Sequence, residues 1–345
     1  ILLKFQIIFG EIKSVATKSI KSKNIYNLSL ALIEKFNEYN LEESDTFDSM
    51  IILNRESDYI SPLINEWTFG GMINKIIKTS FNQDNKLEEI NSIIESSFQL
   101  FENKLYKQIE NVHINNAFQI LIKIMNKYRE MKNTEVDKNL EEKIELVENK
   151  NDLEVLIKLK SIIDKKLKDP YFIELLKFEQ ELLSLNFDQT YYFNYLIGLI
   201  QVPISLDEIL RLLIITNFCF SGYSQNQLTI LYNEIFSSYG SHALYLVSCL
   251  ESKGLIINKE SNKANKKLTF LNNYSLYKKN FKLIEEDPTY TTSNSIFAPY
   301  SGYLSIIVKI VEDLFEKNIN DQTKVKFNYI NSSKESMEQS NSCVI

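Results

Sequence analysis

The sequence contains few of the residues that form tight turns, metal sites and disulfide frames. Its 345 residues include eight glycines, five prolines, three cysteines and two histidines. So few glycines and prolines disfavour folds built from many short strands, and three widely spaced cysteines argue against a disulfide frame or a zinc site. We therefore predict a mainly helical protein, and we predict no cofactor and no metal.

Sequence motifs of the common enzyme classes are also missing. The chain has no GxxxxGK[ST], GxGxxG or GxSxG motif, and its two histidines, His113 and His242, are far apart in sequence. The net charge of −6 lacks the basic footprint of nucleic-acid-binding proteins. These absences favour a non-enzymatic protein without a nucleic-acid partner.

The least polar uncharged run extends from residue 189 to 206, nearly the length of a membrane span. A span needs roughly 20 predominantly apolar residues. This run contains Asn194, Gln201 and Pro203. It therefore predicts a buried helix that ends near Pro203.

The amino-terminal part has the pattern of an α/β unit. ILLKFQIIFG predicts a helix that ends at Gly10, where a left-handed backbone is easily adopted. Residues 48–53 are a short apolar run that predicts a buried strand. Between them, residues 24–39 predict an amphipathic helix, whose apolar face would carry Ile25, Leu28, Leu32 and Phe36.

The loop after this strand is rich in polar residues. Ser61 and Pro62 suit the start of a helix. Because buried charges need partners, we predict an ion pair between Arg55 and Asp58 that fastens the loop. An alternative is that residues 54–58 form the catalytic loop of a hydrolase or transferase, since α/β enzymes often carry such residues at strand ends.

Two helical segments, 114–131 and 140–168, flank a polar stretch and predict a helical hairpin. Each carries an apolar stripe. The stripe could form the hairpin's own core or a groove for a partner helix, and both interpretations stay open at this point.

Residues 205–271 predict a winged-helix-like unit. Capping boxes are expected at Ser205 with Glu208 and at Ser224 with Gln227, and glycines at 222, 240 and 254 would end three helices. LIINK and KKLTFL could then pair as a β-hairpin. The third helix, SHALYLVSCLESK, has no Arg, Asn or Gln to contact bases, so a protein-facing or structural role is favoured over DNA binding.

The segment 47–73 resembles the signature of the SM (Sec-one/Munc-eighteen) family, which regulates SNARE-driven membrane fusion. The matching positions are Arg55, Asp58, Pro62, Leu63, Thr68 and Gly71. Blocks at 210–222, 239–256 and 300–310 resemble the family's vacuolar protein sorting-associated protein 33 branch. Together the blocks extend over nearly the whole chain.

The resemblance implies a fold of the α/β plus all-α class. Residues 1–73 would begin an incomplete parallel-sheet α/β domain, the family's second domain. Residues 74–294 would be a large helical insertion with a projecting hairpin at about 114–168 and the winged-helix-like unit at about 205–271. Residues 295–345 would return to the α/β domain and be truncated.

The resemblance also implies partners: Qa and R SNAREs on the hairpin, and a vacuolar protein sorting-associated protein 16-like subunit of a HOPS or CORVET tether. The protein would be cytoplasmic, peripheral on endosome, lysosome or vacuole membranes and bound to them through partners. A structural tether subunit without SNARE binding is the alternative. The implied SNARE contacts are Phe118, Ile122, Met125, Leu156, Leu159 and Ile163. The implied tether surface carries Tyr232, Ser241 and Leu244.

Overall fold

The computed structural model describes residues 1–12, 14–36, 44–81, 103–133, 150–261, 274–287, 295–315, 328–330 and 343–344. The chain is helix-rich with one small sheet. The strands are β1 (Ser14–Thr17), β2 (Ser49–Ile52), β3 (Asn328–Ile330) and β4 (Cys343–Val344).

The helices are longest in the middle of the chain. Two belong to the amino-terminal unit: α1 (Leu2–Phe9) and α2 (Ile20–Phe36). Four follow the second strand: α3 (Phe69–Phe81), α4 (Lys104–Ile109), α5 (Ile114–Asn133) and α6 (Lys150–Leu167). The others are α7 (Pro170–Ser184), α8 (Gln189–Ile200), α9 (Leu206–Phe220), α10 (Gln225–Tyr239), α11 (Ser241–Ser252), α12 (Tyr274–Phe281) and α13 (Ile306–Phe315).

The sheet has the strand order β3-β1-β2-β4. β1 pairs with β2 in parallel, with Val15 opposite Met50, and β2 pairs in parallel with β4. β3 runs antiparallel to β1, so the predicted parallel sheet carries one antiparallel edge strand. Two strands from the end of the chain thus complete a sheet begun in its first 52 residues. The domain boundaries at residues 73 and 294 stay predictions.

The amino-terminal helices form where they were predicted, but α2 buries a different face. Gly10 ends α1 with a φ of 87°, as expected. Ile25 and Leu28 are 55% and 62% exposed, so the predicted apolar face of α2 is wrong. Tyr26 is buried instead, because its ring packs against the sheet residues Val15 and Met50 and its hydroxyl donates to the Ile12 carbonyl oxygen at 3.3 Å.

Two large hydrophobic cores hold the helical part together. The first core lies among α7 to α13 and includes Leu182, Leu212, Phe218 and Leu231. The second core lies among α3 to α7 and includes Phe69, Leu121 and Leu156. α7 contributes Leu175 to the first core and Leu176 to the second.

The winged-helix-like unit agrees with its prediction in the helices and differs in the wing. Gly222, Gly240 and Gly254 follow α9, α10 and α11 with positive φ angles of 108°, 79° and 75°, which confirms the three helix ends. Residues 255–259 form no strand and make a single bridge, between Asn258 and Tyr223. The second half of the predicted hairpin lies outside the described residues.

Only one of the two predicted capping boxes forms. Ser224 and Gln227 bond each other's backbone N–H, as predicted. Ser205 makes no side-chain cap, so that prediction is wrong, and the Glu208 carboxylate points to other partners described below. Helix α8 ends at Ile200, three residues before Pro203. None of the helices within the described ranges is long and apolar enough to cross a bilayer.

Candidate functional site: a helical arm and the polar contacts that anchor it

The loop after β2 is organised around a fully buried carboxylate. Asp58 is 0% exposed. One carboxylate oxygen accepts from the backbone N–H groups of Ile60 and Ser61, each at 2.9 Å. The other accepts from the hydroxyls of Ser61 at 2.5 Å and Ser305 at 3.1 Å. Asp58 therefore joins its own loop to a residue 247 positions later in the chain.

The predicted Arg55–Asp58 ion pair is wrong. Arg55 is exposed, and no ion pair links these two residues, both of which the structure describes. Four neutral donors already occupy the Asp58 carboxylate, so it needs no cation. The ion pair at this loop joins Glu56 to Lys21 of α2 at 2.7 Å, and both side chains are well exposed.

The predicted helix start at Ser61 and Pro62 is also wrong. Ser61 is buried and its hydroxyl serves Asp58 rather than a helix end, while Pro62 is exposed in a single turn. Helix α3 begins only at Phe69, where the Thr68 hydroxyl accepts from the Gly71 N–H at 3.0 Å. The family signature therefore spans a turn and a capped helix start.

A second buried carboxylate, on α7, joins the loop to the helical part. Glu179 is 2% exposed and accepts from the Asn65 backbone N–H at 2.6 Å and from its side-chain amide at 2.9 Å. The Arg211 guanidinium on α9 forms an ion pair with Glu179 and donates to the Leu63 carbonyl oxygen at 2.6 Å. Loop, α7 and α9 thus meet at one charged contact.

The same arginine extends the contact to α3. Arg211 bonds Glu208 at 2.9 Å, and Glu208 also pairs with Lys75 of α3. Burial acts to lower the pKa of Arg211, but Glu179 and Glu208 outweigh it and raise that pKa. Burial acts to raise the pKa of Glu208, but Arg211 and Lys75 lower it. The pKa of Lys75 is lowered, because burial and the charge of Arg211 exceed the attraction of Glu208.

We call Asn65, Lys75, Glu179, Glu208 and Arg211 the anchor network. These residues tie together the strand-end loop, the second core and the first core. Sequence reasoning missed this network. One signal was present: Arg211 is one of three arginines in the chain and lies in the apolar helix LDEILRLLIITNFCF.

The start of α5 is tied to the segment that precedes α3. The Ile114 N–H donates to the Trp67 carbonyl oxygen at 2.8 Å, and the Phe69 N–H donates to the Val112 carbonyl oxygen at 3.0 Å. His113 is 3% exposed and stacks on Trp67 with ring centroids 6.1 Å apart. Burial lowers the pKa of His113 to about 4, so the imidazole is neutral at physiological pH. The helix therefore starts from a fixed point.

We call α5 and α6 the helical arm. Leu156, Leu159 and Ile163 of α6 are 0%, 2% and 1% exposed within the second core, packed against α5. A partner cannot touch them without separating the helices, so their prediction as SNARE contacts is wrong and the self-packing interpretation of this stripe is correct. The tip between the two helices lies outside the described residues.

The predicted contacts on α5 differ from those on α6. Ile122 is 47% exposed, whereas Phe118 and Met125 are partly buried against the second core. The Lys160 ammonium lies 4.4 Å from the centre of the Phe118 ring, a cation–π contact that holds the two helices together. Of the six predicted SNARE contacts, Ile122 on the outward face of α5 is thus the exposed one.

The predicted tether surface lies on α10 and α11. Tyr232 is half-buried and donates to the Glu251 carboxylate at 2.6 Å, Ser241 is exposed, and Leu244 packs partly against the first core. Three large exposed side chains on these helices were not predicted: Ile230 at 46%, Phe236 at 53% and Tyr245 at 66%. These exposed side chains make the face of α10 and α11 more apolar than the predicted residues alone would.

Comparisons with known proteins agree with the sequence resemblance. The sequence model of the Sec1 family matches residues 3–343 of this chain. The vacuolar protein-sorting-associated protein 33 homolog of Arabidopsis thaliana is 24% identical over 321 residues, 88% of this chain and 51% of that protein. Rat vacuolar protein sorting-associated protein 33A is 22% identical over 90% of this chain and 54% of its own length. The chain thus spans about half the length of these relatives.

Solved structures show the same fold at low identity. The SM protein Vps45 in complex with the Qa SNARE Tlg2 aligns with a TM-score of 0.62 and 13% identity, over 95% of this chain and 58% of Vps45. The Unc18–syntaxin 1 complex from Monosiga brevicollis aligns with a TM-score of 0.59 and 13% identity, over 97% of this chain and 60% of the matched one. With the family match extending over nearly every residue, the chain belongs to the Sec1 family of SM proteins.

Proposed function

We propose that this protein is a non-enzymatic regulator of vesicle docking and membrane fusion that holds SNARE helices for assembly. The observation that carries the proposal is the outward face of α5, where Ile122 is exposed on a helix fixed by the second core. The Sec1 family match supports it, as does the fold shared with an SM protein solved with a Qa SNARE.

The physical advantage of such a surface is entropic. SNARE motifs that are disordered before assembly must lose chain entropy when they form helices together. A pre-formed helix surface that orders one motif before the next arrives lowers the entropy lost at the encounter. The arm suits this task because its buried leucines and the tie between Trp67 and Ile114 keep α5 in place.

We further propose that the α10–α11 face joins the protein to a tether of the HOPS or CORVET type, through a vacuolar protein sorting-associated protein 16-like subunit. Phe236 and Tyr245 would supply the apolar centre of this contact, with Ser241 beside them. Membrane association at endosome, lysosome or vacuole would then be indirect. A structural tether subunit without SNARE binding would use this face alone.

The strand-end loop gives little support to the hydrolase or transferase alternative. A general base must reach the proton that it removes. Asp58 is 0% exposed and its carboxylate is occupied by four donors from the protein itself. The arrangement is that of a fastened loop.

Retention of SNARE motifs by the immobilised protein tests the proposal. We expect retention of Qa- and R-SNARE motifs, and a loss of about tenfold in affinity for Ile122→Asp, because a charge would have to be buried at the contact. Leu28→Asp is the matched control, since Leu28 is 62% exposed on α2, and it should retain SNARE motifs normally. Equal retention by both variants would remove the α5 surface from the proposal, and no retention by the folded protein would favour the structural tether.

A further inference from the structure

Helices α7 and α8 meet in an exposed surface that is rich in aromatic rings. Phe187 is 52% exposed and Tyr191 is 40% exposed, with ring centroids 4.3 Å apart. The Tyr191 ring lies 6.4 Å from that of Tyr195, which stacks at 4.8 Å on the buried ring of Phe178. Tyr191 and Tyr195 are therefore held on a helix, and Phe187, in the short connection between α7 and α8, packs against Tyr191, so little conformational entropy is left to lose on binding.

Carboxylates surround the rings. Glu174 accepts from the Tyr195 hydroxyl at 2.9 Å, and Asp188 caps α8 by accepting from the Tyr191 N–H at 3.0 Å. Burial, the bond to Glu174 and the nearby charge of Glu181 raise the pKa of Tyr195 to about 12. The three acids thus lie close to the aromatic rings.

None of the three acids forms an ion pair within the described residues, although Lys259 and Lys278 donate to Gln189 and Ser184 at neighbouring positions. Lys177 is the one basic residue between positions 170 and 200, and it forms no ion pair with any residue that the structure describes. Within the same described part of the chain, the exposed Glu181 carboxylate has neither an ion-pair nor a hydrogen-bond partner. The surface therefore combines π-electron density with carboxylates that have no ion-pair partner within the described residues.

We propose that this aromatic–acidic surface binds an arginine-rich segment of a partner protein. It consists of Glu174, Glu181, Phe187, Asp188, Tyr191 and Tyr195. A guanidinium can stack on an aromatic ring and donate to a neighbouring carboxylate at the same time. Lysine, as a compact and strongly hydrated charge, gains less from the rings.

Charge complementarity selects this occupant over others. A second copy of the chain would bring the same acids against these in a two-fold contact, and like charges would repel. An acidic segment or a nucleic-acid backbone is repelled for the same reason. This surface is distinct from α5 and from the α10–α11 face, so the proposal does not depend on SNARE or tether binding.

Fluorescence anisotropy with labelled helical peptides tests the proposal. The probes carry arginine, lysine or glutamate at every fourth position and are otherwise identical. We expect the arginine peptide to bind best, the lysine peptide less well and the glutamate peptide not at all, with affinity falling as salt increases. Tyr191→Leu should weaken arginine-peptide binding about tenfold and Glu181→Gln about threefold.

Two further variants keep the test specific. Tyr245→Leu removes a tyrosine from α11 that is more exposed than Tyr191, 66% against 40%, and should leave peptide affinity unchanged. Lys177→Gln removes the cation that lies between Glu174 and Glu181 on α7 and should tighten binding. Equal affinity in Tyr191→Leu and Tyr245→Leu, or no binding of the arginine peptide by the wild type, would overturn the proposal. If Tyr191→Leu lowers the melting temperature, the two charge variants, Glu181→Gln and Lys177→Gln, decide the outcome, because both side chains are exposed.

Discussion

Asp58 and Glu179 are both buried carboxylates, yet they are stabilised in different ways. Asp58 is bonded by four neutral donors from its own loop and from Ser305. Glu179 is paired with a cation, Arg211, and with both donors of Asn65. One site therefore fixes a local turn, and the other fixes the relative positions of helices.

The difference follows from what each site must connect. Backbone N–H groups and serine hydroxyls reach only a short distance, so a carboxylate that uses them holds neighbouring segments closely. A guanidinium has five N–H donors on a long stem, so Arg211 contacts Glu179, Glu208 and the Leu63 carbonyl oxygen at once. The anchor network can therefore span three helices and the strand-end loop, with Arg211 as the residue that joins its two carboxylates.

The largest effect is expected from Arg211→Ala. The change leaves Glu179 buried without its cation and leaves the Leu63 carbonyl oxygen without this donor, and breaking a buried pair in this way costs about 3–5 kcal/mol. The free energy of unfolding, measured with urea, should fall by that amount. The contacts of α3 and α7 with α9 should also weaken, so hydrogen exchange should rise in α3 and α7.

Two variants sharpen this result. Arg129→Ala removes an exposed arginine from α5 and should change stability by less than about 0.5 kcal/mol. Glu179→Gln combined with Arg211→Met removes both charges and should recover part of the loss, because no unpaired charge then remains buried. If Arg211→Ala proves as mild as Arg129→Ala, the anchor network contributes little to stability.

A smaller effect is expected from Asp58→Asn. One amide oxygen can still accept from the N–H groups of Ile60 and Ser61, while the hydroxyls of Ser61 and Ser305 can rotate to accept from the new NH₂ group. The loss should therefore be about 1–3 kcal/mol in urea unfolding, below that of Arg211→Ala. Asp45→Asn, at an exposed carboxylate four residues before β2, is the control. The opposite order of the two losses would mean that neutral donors hold the chain more strongly than the ion network does.

Local sequence patterns predicted the elements of the fold well. Gly10, Gly222 and Gly240 end helices where their positions indicated, and residues 49–52 form the buried strand. These features are fixed within a few residues of chain, by backbone freedom at glycine and by apolar runs. The buried face of α2 is not fixed locally, because Tyr26 packs against Val15 and Met50 of the sheet.

The polar contacts were harder to predict, because they join residues far apart in sequence. Ser305 reaches Asp58 across 247 positions, and Asn65 reaches Glu179 across 114. A nearby candidate of opposite charge, Arg55, was therefore chosen wrongly for Asp58. Glu208 was similarly assigned to a local cap at Ser205, although Arg211, three residues further along, and Lys75 of α3 bind its carboxylate. Spacing along one helix does not reveal a partner on another.

The smallest effect is expected from Arg55→Ala, and it separates the family signature from the stabilising contacts. Arg55 stands in a matching position of the SM signature, yet it is exposed and its charge is not needed by Asp58. The free energy of unfolding should therefore change by less than about 0.5 kcal/mol.

Glu56→Ala removes the neighbouring exposed pair with Lys21 and should be equally mild, because exposed ion pairs contribute little. A loss above about 1.5 kcal/mol for Arg55→Ala alone would show that this arginine stabilises the loop by a contact other than the one with Asp58. With stability unchanged, a matching signature residue on the surface becomes a candidate for binding rather than folding, and SNARE retention by the same variant measures that directly.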